Sequence, residues 1–435
     1  MAAIRNLLLS AGVASVAATS SGDNLKSCLK YALPGIGHVA YPGDLLYQAI
    51  DVNRLNLNIP VTPAAVTFPT SSQQVAAVVR CAADNGYPVQ AKSALQTIFH
   101  GQNDLGRKIG SGSLLGDVTQ RLHDAGGRAM SHGTCPQVGS GGHFTIGGLG
   151  PTSRQFGASL DHIVEAEVVL ANSSIVTASD TQNQDICFAI KGAASGFGIV
   201  TEFKVRTEPE PGIAVKYEYT LKAGSTEERA RLFKKWQAYV SDPSLTRKLA
   251  STLTLLDDNR VITGTSFGTE EEYNALNMGG LARSCRADKG TLAWFILFDF
   301  QGGYTNDIPT NATAYAHRDV LVWLQSYSIN LLGTVTQTQI NFLDRVNTLV
   351  TNYGAPYSAY PGYVDPLMAY GPEAYWGSNL ARLQQIKKEI DPKKVFRNPQ
   401  SPSPANQKNS TNYATQGFEV VNIHTHIIQS NVYSS

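Results

Sequence analysis

Apolar residues recur at helical spacing between residues 70 and 86. Val75, Val78, Val79 and Ala82 fall on one face of "TSSQQVAAVVRCAADNG". Thr70 and Gln73 have the spacing of a capping box, and Gly86 suits the stop. "AAVTFP" (64–69) before this helix and "YPVQAKS" after it read as strands, so the chain opens on a β-α-β unit. "SLLGDVTQRLHDAGG" (113–127) predicts a second helix ending at paired glycines. "IVEAEVVLANSSIVTAS" (163–179) predicts a hairpin turning at Asn172 and Ser173. "FGIVTEFKVRTEPEP" (197–211) is a strand running into a proline-rich break, which places a domain boundary there.

After the break the pattern changes. "VKYEYTL", "ASTLTLL", "RVITGTSFG" and "LAWFILFDF" read as strands, and "TEERARLFKKWQAYV" and "TQTQINFLDRVNTLV" as helices. Grouped strands with helices between them predict an antiparallel sheet covered on one face. Residues 373–396 read as one helix stopped by Asp391-Pro392. Beyond Pro399 the chain is polar and aperiodic, and residues 401–435 are expected to lack structure.

The length, 435 residues, predicts two or three domains, and 42% hydrophobic residues suffice for a sizeable core. A net charge of +1 gives no footprint for nucleic acid or an anionic membrane. Residues 1–19 read as a secretory signal, with basic Arg5, a short apolar run and small residues at Ala17 and Ala18. No later segment has the ~20 apolar residues of a membrane span. Asn172, Asn311 and Asn409 head glycosylation triplets, which agree with secretion. The five cysteines form no C-x-x-C pair, so zinc and thioredoxin-like chemistry are not expected. An odd count leaves at least one thiol unpaired or modified in an oxidising compartment.

The densest chemical signal is "SHGTCPQVGSGGHFTIGGLG" (131–150), where seven of twenty residues are glycine. It contains neither G-K-[ST] nor G-x-G-x-x-G, so neither a Walker loop nor a nicotinamide fingerprint is present. Glycines at this density let backbone amides approach an anion such as a pyrophosphate, or make a mobile surface loop. Cys135 within it reads three ways: a small buried hydrophobe, a disulfide partner, or a thiolate bonded to a cofactor.

These residues resemble the flavin loop of the berberine-bridge-enzyme-like FAD oxidases, within the vanillyl-alcohol-oxidase group. The fungal carbohydrate oxidases of that family, glucooligosaccharide oxidases included, are the most similar. The resemblance extends through "SLDHIVEAEVVLANSSIV", "DICFAIKGAASGFGIVTEFKVRT", "TAYAHRD" and "YWGSNLARLQQIKKEIDPKKVFRNPQS", over roughly residues 25–400. It implies an α+β fold: a two-part FAD-binding domain over 25–211, a substrate domain over 212–372, and a return to the FAD-binding part over 373–400.

The resemblance also assigns residues. It implies FAD bonded through its carbon 6 to Cys135. Gly139, Gly141, Gly142 and His143 would lie along the FAD, and Gly147, Gly148 and Gly150 would shape its pocket. Ile199 and Val200 would line the adenine side, and Tyr375 and Asn379 would return to the flavin. Cys28 and Cys81 match a family disulfide, whereas Cys187 and Cys285 have no assigned role. For a sugar, the anomeric hydroxyl loses a proton while its carbon gives hydride to flavin N5. Tyr363 in "YPGYVDP" matches the family's base, and Asp299 in "FILFDFQGG" matches an acid that assists it. A tyrosine titrates near ~10, so a positive group or a hydrogen-bond donor beside Tyr363 is expected. Arg318 and Asp319 are expected to form a structural ion pair, and His424 and His426 not to bind metal.

One motif of the family is missing. Relatives carry G-G-H-S-[YF]-G about forty residues before the cysteine, with a second flavin bond through its histidine, and a further strand follows. Here the chain reads "SALQTIFHGQNDLGRKIGSGSLLGD". His100 is the only histidine there, in a context unlike the motif, so a second covalent bond is not expected. The expected activity is that of a secreted, monomeric FAD oxidase acting on an oligosaccharide reducing end. Lactone and hydrogen peroxide are the products, and oxygen is the electron acceptor. The alternatives are a family oxidoreductase of a secondary metabolite and a non-catalytic flavin-fold protein.

Overall fold

In the computed structural model, the described residues are 20–53, 61–93, 107–222, 225–256, 259–276, 294–328, 336–352, 358–363, 365, 368, 370–398, 400–407 and 421–424. Residues 1–19, the segment 94–106 with His100, Cys285, Asn409 and His426 lie outside them.

The β-α-β unit forms as the pattern predicts. Strands Ala65–Thr67 and Val89–Lys92 flank helix Ser72–Asp84, whose Val75, Val78, Val79 and Ala82 are buried. The cap sits one residue later than the expected Thr70–Gln73 pair: Ser71 accepts from Gln74 N, and Gln74 Oε1 in turn accepts from Thr70 N at 2.7 Å. Helix Ser20–Ala32 packs on this helix through the Cys28–Cys81 disulfide, which closes 53 residues of chain.

The tail departs from expectation. Val421–His424 is a strand, parallel to Ala65–Thr67 on one side and to Val89–Lys92 on the other. The two strands of the β-α-β unit therefore do not pair with each other. They stand one strand apart, and unpaired ladder groups facing such a gap are costly. The β-branched residues of "VNIH" suit the position.

A second, antiparallel sheet runs Arg107–Gly110, Ile199–Val205, Ile163–Val169, Ile175–Ser179. Its hairpin turns where expected. Asn172 Oδ1 accepts from Ser174 N at 3.0 Å, and Ser173 takes a positive φ of 68°. Helix Leu115–Asp124 buries Val118 and Leu122 against Ile109, Phe144 and Phe203 of this half's core. The proline-rich break is not a free linker, because Glu208–Pro209 pairs with Arg128–Ala129.

The third sheet is wholly antiparallel, in the order Ala214–Lys222, Asn259–Phe267, Leu249–Leu255, Trp294–Phe300, Val322–Ser328. Helix Thr226–Val240 begins at a Ser225–Glu228 capping box. It lays Trp236 and Val240 on Tyr217, Leu253, Ile262 and Phe300. Period-two alternation puts Thr252, Asp299, Trp323, Gln325 and Tyr327 on the opposite face, away from that helix. The architecture is the expected α+β one.

The expected single helix over 373–396 is two. Gly371–Trp376 and Leu380–Ile390 are separated at Gly377, whose φ of 45° ends the α-helix before a 3-10 turn over Gly377–Asn379. Both pack on Phe188, Phe197 and Ala314. Lys387, fully buried, donates to Asp391 and to the carbonyls of Gly196 and Phe396, which fixes the chain's return to Val89.

Candidate active site

The glycine loop is ordered from within. Gly133 N donates to His143 Nε2 at 2.8 Å, so that nitrogen is unprotonated. Burial first, and the neighbouring His132 second, lower the His143 pKa to about 4, which keeps the ring neutral near pH 7. His143 therefore clamps the loop across ten residues.

Most of the glycines serve close packing, within the loop or against the residues around it. A Cβ on Gly150 would lie 1.8 Å from His132 O, and one on Gly148, at a φ of 76°, would lie 2.1 Å from Ser159 Oγ. Gly139 and Gly141 abut Ser93 and Ser111 in the same way, and Gly147 abuts Tyr360. Gly142 differs from the other glycines of the loop, because a Cβ there would meet nothing within 4 Å.

Cys135 is an exposed free thiol. Tyr327, on the substrate sheet, lies within its electrostatic reach: burial, then the charge of Asp299, then Cys135 raise the Tyr327 pKa. Tyr327 OH donates to Gln325 Oε1 at 2.5 Å. Gln325 Nε2 donates to Asp299 Oδ2, and Thr252 Oγ1 donates to Asp299 Oδ1 at 2.9 Å. Burial raises the Asp299 pKa, and those two donors oppose the rise.

Tyr363 completes the cluster. It is 43% exposed and lies edge-on to Tyr360, ring centres 4.9 Å apart. Tyr360 OH accepts from Gly148 N at 3.0 Å, so the tyrosine turn and the glycine loop are directly joined. Burial, then the Asp299 charge, push the Tyr363 pKa upward, and the Gln325 side chain opposes them. The polar group found beside Tyr363 is thus the Gln325 amide, which is bonded to Asp299 and Tyr327. Among the described residues the neighbouring charge is negative, that of Asp299, and the expected positive group is not found.

The structure brings Cys135, Asp299 and Tyr363 into one neighbourhood. It gives Tyr375 and Asn379 other work. Tyr375, 1% exposed, accepts from Asp365 N at 2.8 Å and donates to Tyr363 O at 3.5 Å, shaping the turn that presents Tyr363. Asn379 Nδ2 is committed to the carbonyls of Thr310 and Thr313, at 2.8 and 3.0 Å. Ile199 and Val200 are buried in two different apolar clusters. Arg318 does not pair with Asp319. It grips Asp161 with both ends of its guanidinium, at 2.7 and 2.9 Å, and the pair is almost fully buried.

Sequence reasoning missed Thr252, Gln325, Tyr327 and Tyr360. The signal for two of them was alternation: Trp323, Gln325 and Tyr327 share one face of a strand absent from the expected set. In register they stand opposite Asp299, Leu297 and Phe295.

The residues fit FAD. The Cys135 thiol is accessible, the Gly142 position opens on free space, and Ser113 Oγ is buried with no protein partner. No group of three or more His, Cys, Asp or Glu able to hold a metal occurs among the described residues.

Comparison with known proteins agrees. The "FAD binding domain" family profile matches residues 101–179, and "Berberine and berberine like" matches 359–402. The chain is 33% identical to the FAD-linked oxidoreductase sorD of Penicillium rubens, over 84% of this chain and 95% of that protein. It is 29% identical to the xylooligosaccharide oxidase of Thermothelomyces thermophilus, over 82% and 90%. The crystal structure of the Microdochium nivale carbohydrate oxidase, in complex with a substrate analogue, superposes with a TM-score of 0.80 at 27% identity, covering 88% of this chain and 100% of that one.

Proposed function

Since the chain belongs to the berberine-bridge-enzyme-like FAD-linked oxidases, we propose that it oxidises the reducing end of an oligosaccharide to a lactone and passes the electrons to oxygen, giving hydrogen peroxide. The observation that carries this reading is the convergence of Tyr363, Asp299 and Gln325 at the edge of a polar sheet face, beside the Cys135 loop. Hydroxyl and amide groups on that face, from Thr252, Gln325 and Tyr327, suit a ligand rich in hydroxyls. The carbohydrate oxidases among the relatives support the same substrate class.

FAD, when bound, supplies the hydride acceptor. The chain supplies the proton acceptor. The Tyr363 phenol is protonated near neutral pH, since its pKa is raised. It can take the anomeric proton only as its own leaves, and the Asp299 carboxylate is the nearby charge to receive it. Burial makes that carboxylate more basic than usual. Gln325 orients Asp299 through Nε2 and Tyr327 through Oε1.

Cys135 would hold the cofactor by a single covalent bond to carbon 6. Gly142, His143 and the rest of the loop would lie along it, with Ile199 and Val200 toward the adenine. The enzyme is exported: the Cys28–Cys81 disulfide agrees with an oxidising compartment, and Asn172 and Asn311 are exposed for glycosylation. Peroxide release with a panel of oligosaccharides tests the activity. A purified protein that is yellow but turns over no sugar would redirect it to a secondary metabolite; one that takes up no FAD on refolding would remove it from the enzymes.

A further inference from the structure

Arg154 joins the two halves of the molecule, and the chemistry proposed above does not use it. It sits in the single-turn helix Ser153–Phe156, immediately after the glycine loop. That turn is tied to the loop: Gly150 N donates to Ser153 Oγ at 2.9 Å, and Thr152 Oγ1 to Ser131 Oγ at 3.2 Å.

The guanidinium crosses to the substrate half. Nη1 donates to the carbonyls of Thr246 and Leu249 at 2.6 and 2.7 Å, and Nη2 to Leu245 O at 3.4 Å. Its central carbon lies 4.0 Å from the centre of the Phe300 ring. Phe300 adjoins Asp299 at the end of strand Trp294–Phe300, on the opposite face of the sheet. The backbone is gripped as well. Thr305 Oγ1 donates to Ser153 O at 3.2 Å, and a Cβ on Gly303 would come within 2.3 Å of Arg154 O.

Arg154 is 6% exposed, and no carboxylate pairs with it among its hydrogen-bond partners. Burying an arginine on carbonyls and a ring is an expensive way to gain stability, since apolar residues of similar volume often do as well. What the fork and the plane add is direction: three carbonyls and one ring face fix where the strand end lies relative to the loop.

We propose that Arg154 is a positioning residue that sets where the Asp299 strand end lies relative to the glycine-cysteine loop, and so relative to Tyr363, whose turn is tied to that loop. The inference rests on the role given to that pair above. Reaction rates are sensitive to misplacements of about 1 Å, which can cost about a hundredfold.

The test uses the flavin-loaded full chain with Arg154→Ala and Arg154→Lys. Trp236→Phe, in the core under the substrate sheet, serves as a control of lowered stability. Two quantities are read below the unfolding transition: the rate of flavin reduction at saturating sugar, and flavin fluorescence, which nearby tyrosines quench. In Arg154→Ala the reduction rate is expected to fall about ten- to a hundredfold with a much smaller change in KM. Fluorescence is expected to rise, and Arg154→Lys to recover little of either. Trp236→Phe should lower Tm and leave both quantities unchanged.

If Arg154→Ala lowers Tm alone, or if the control moves rate and fluorescence equally, Arg154 serves stability only and the inference is wrong. Should Arg154→Ala not fold, Phe300→Leu removes the ring alone; unchanged rate and fluorescence there also overturn it. If no sugar reduces the wild-type flavin, the functional reading fails, and fluorescence by itself decides the role of Arg154.

Discussion

Three side chains carry most of what can be tested one residue at a time. Tyr363→Phe keeps the ring and removes the proton acceptor; kcat is expected to fall by about 10²–10⁴, with the flavin spectrum unchanged. Cys135→Ala should leave FAD extractable by acid, because the only exposed free thiol among the described residues is gone. Retention of the flavin after acid denaturation would move the bond elsewhere. His143 makes a pH prediction. Its pKa falls from 6.5 to about 4 on folding, so the unfolded chain binds the proton more readily. The stability due to the neutral ring is complete above pH 6.5 and is lost as pH falls toward about 4. Thermal unfolding across that window should show the loss, and His143→Gln, which keeps an acceptor but does not titrate, should reduce it, leaving the part due to His132, His162 and His317, whose pKa values burial also lowers.

At the scale of elements, the tail strand is the most exposed to test. Ending the chain after residue 407 removes Val421–His424 and leaves two parallel strands facing an empty slot. Tm should drop, and amide protection in residues 65–67 and 89–92 should fall with it; unchanged exchange there would mean that the strand does not hold the sheet. The same element marks the limit of reading a sequence. Helix Ser72–Asp84 was legible because its apolar period and its stop are local. The hairpin at Asn172 was legible because one asparagine side chain makes the turn. The strand at 421–424 was not, because what makes "VNIH" a strand is a gap between residues more than three hundred positions away. The break at Gly377 was missed for the opposite reason: a single glycine in a helical pattern is compatible with continuation or with a kink. In the candidate site, family likeness named Cys135, Asp299 and Tyr363 but not the side chains around them. Gln325 and Tyr327 needed the register of two strands, which no local pattern supplies.

At the scale of the molecule, two buried arginines cross between the halves. Arg318 is held by Asp161, and Arg154 by the carbonyls of Leu245, Thr246 and Leu249. Arg318→Ala would strand the Asp161 carboxylate in the interior; a loss of about 3–5 kcal/mol is expected from urea unfolding. The paired change Arg318→Met with Asp161→Leu should recover much of it. The sheet completed by the tail bears on how such a molecule is made. The two strands that flank the tail strand leave the ribosome with residues 65–92, yet their shared partner is not synthesised until residue 424. At about 5–20 residues per second the nascent chain carries those two ladders unpaired for tens of seconds. During that interval any extended peptide, another nascent copy included, competes for the slot. Folding yield should then depend on how fast residues 421–424 follow, as well as on the stability of the folded sheet.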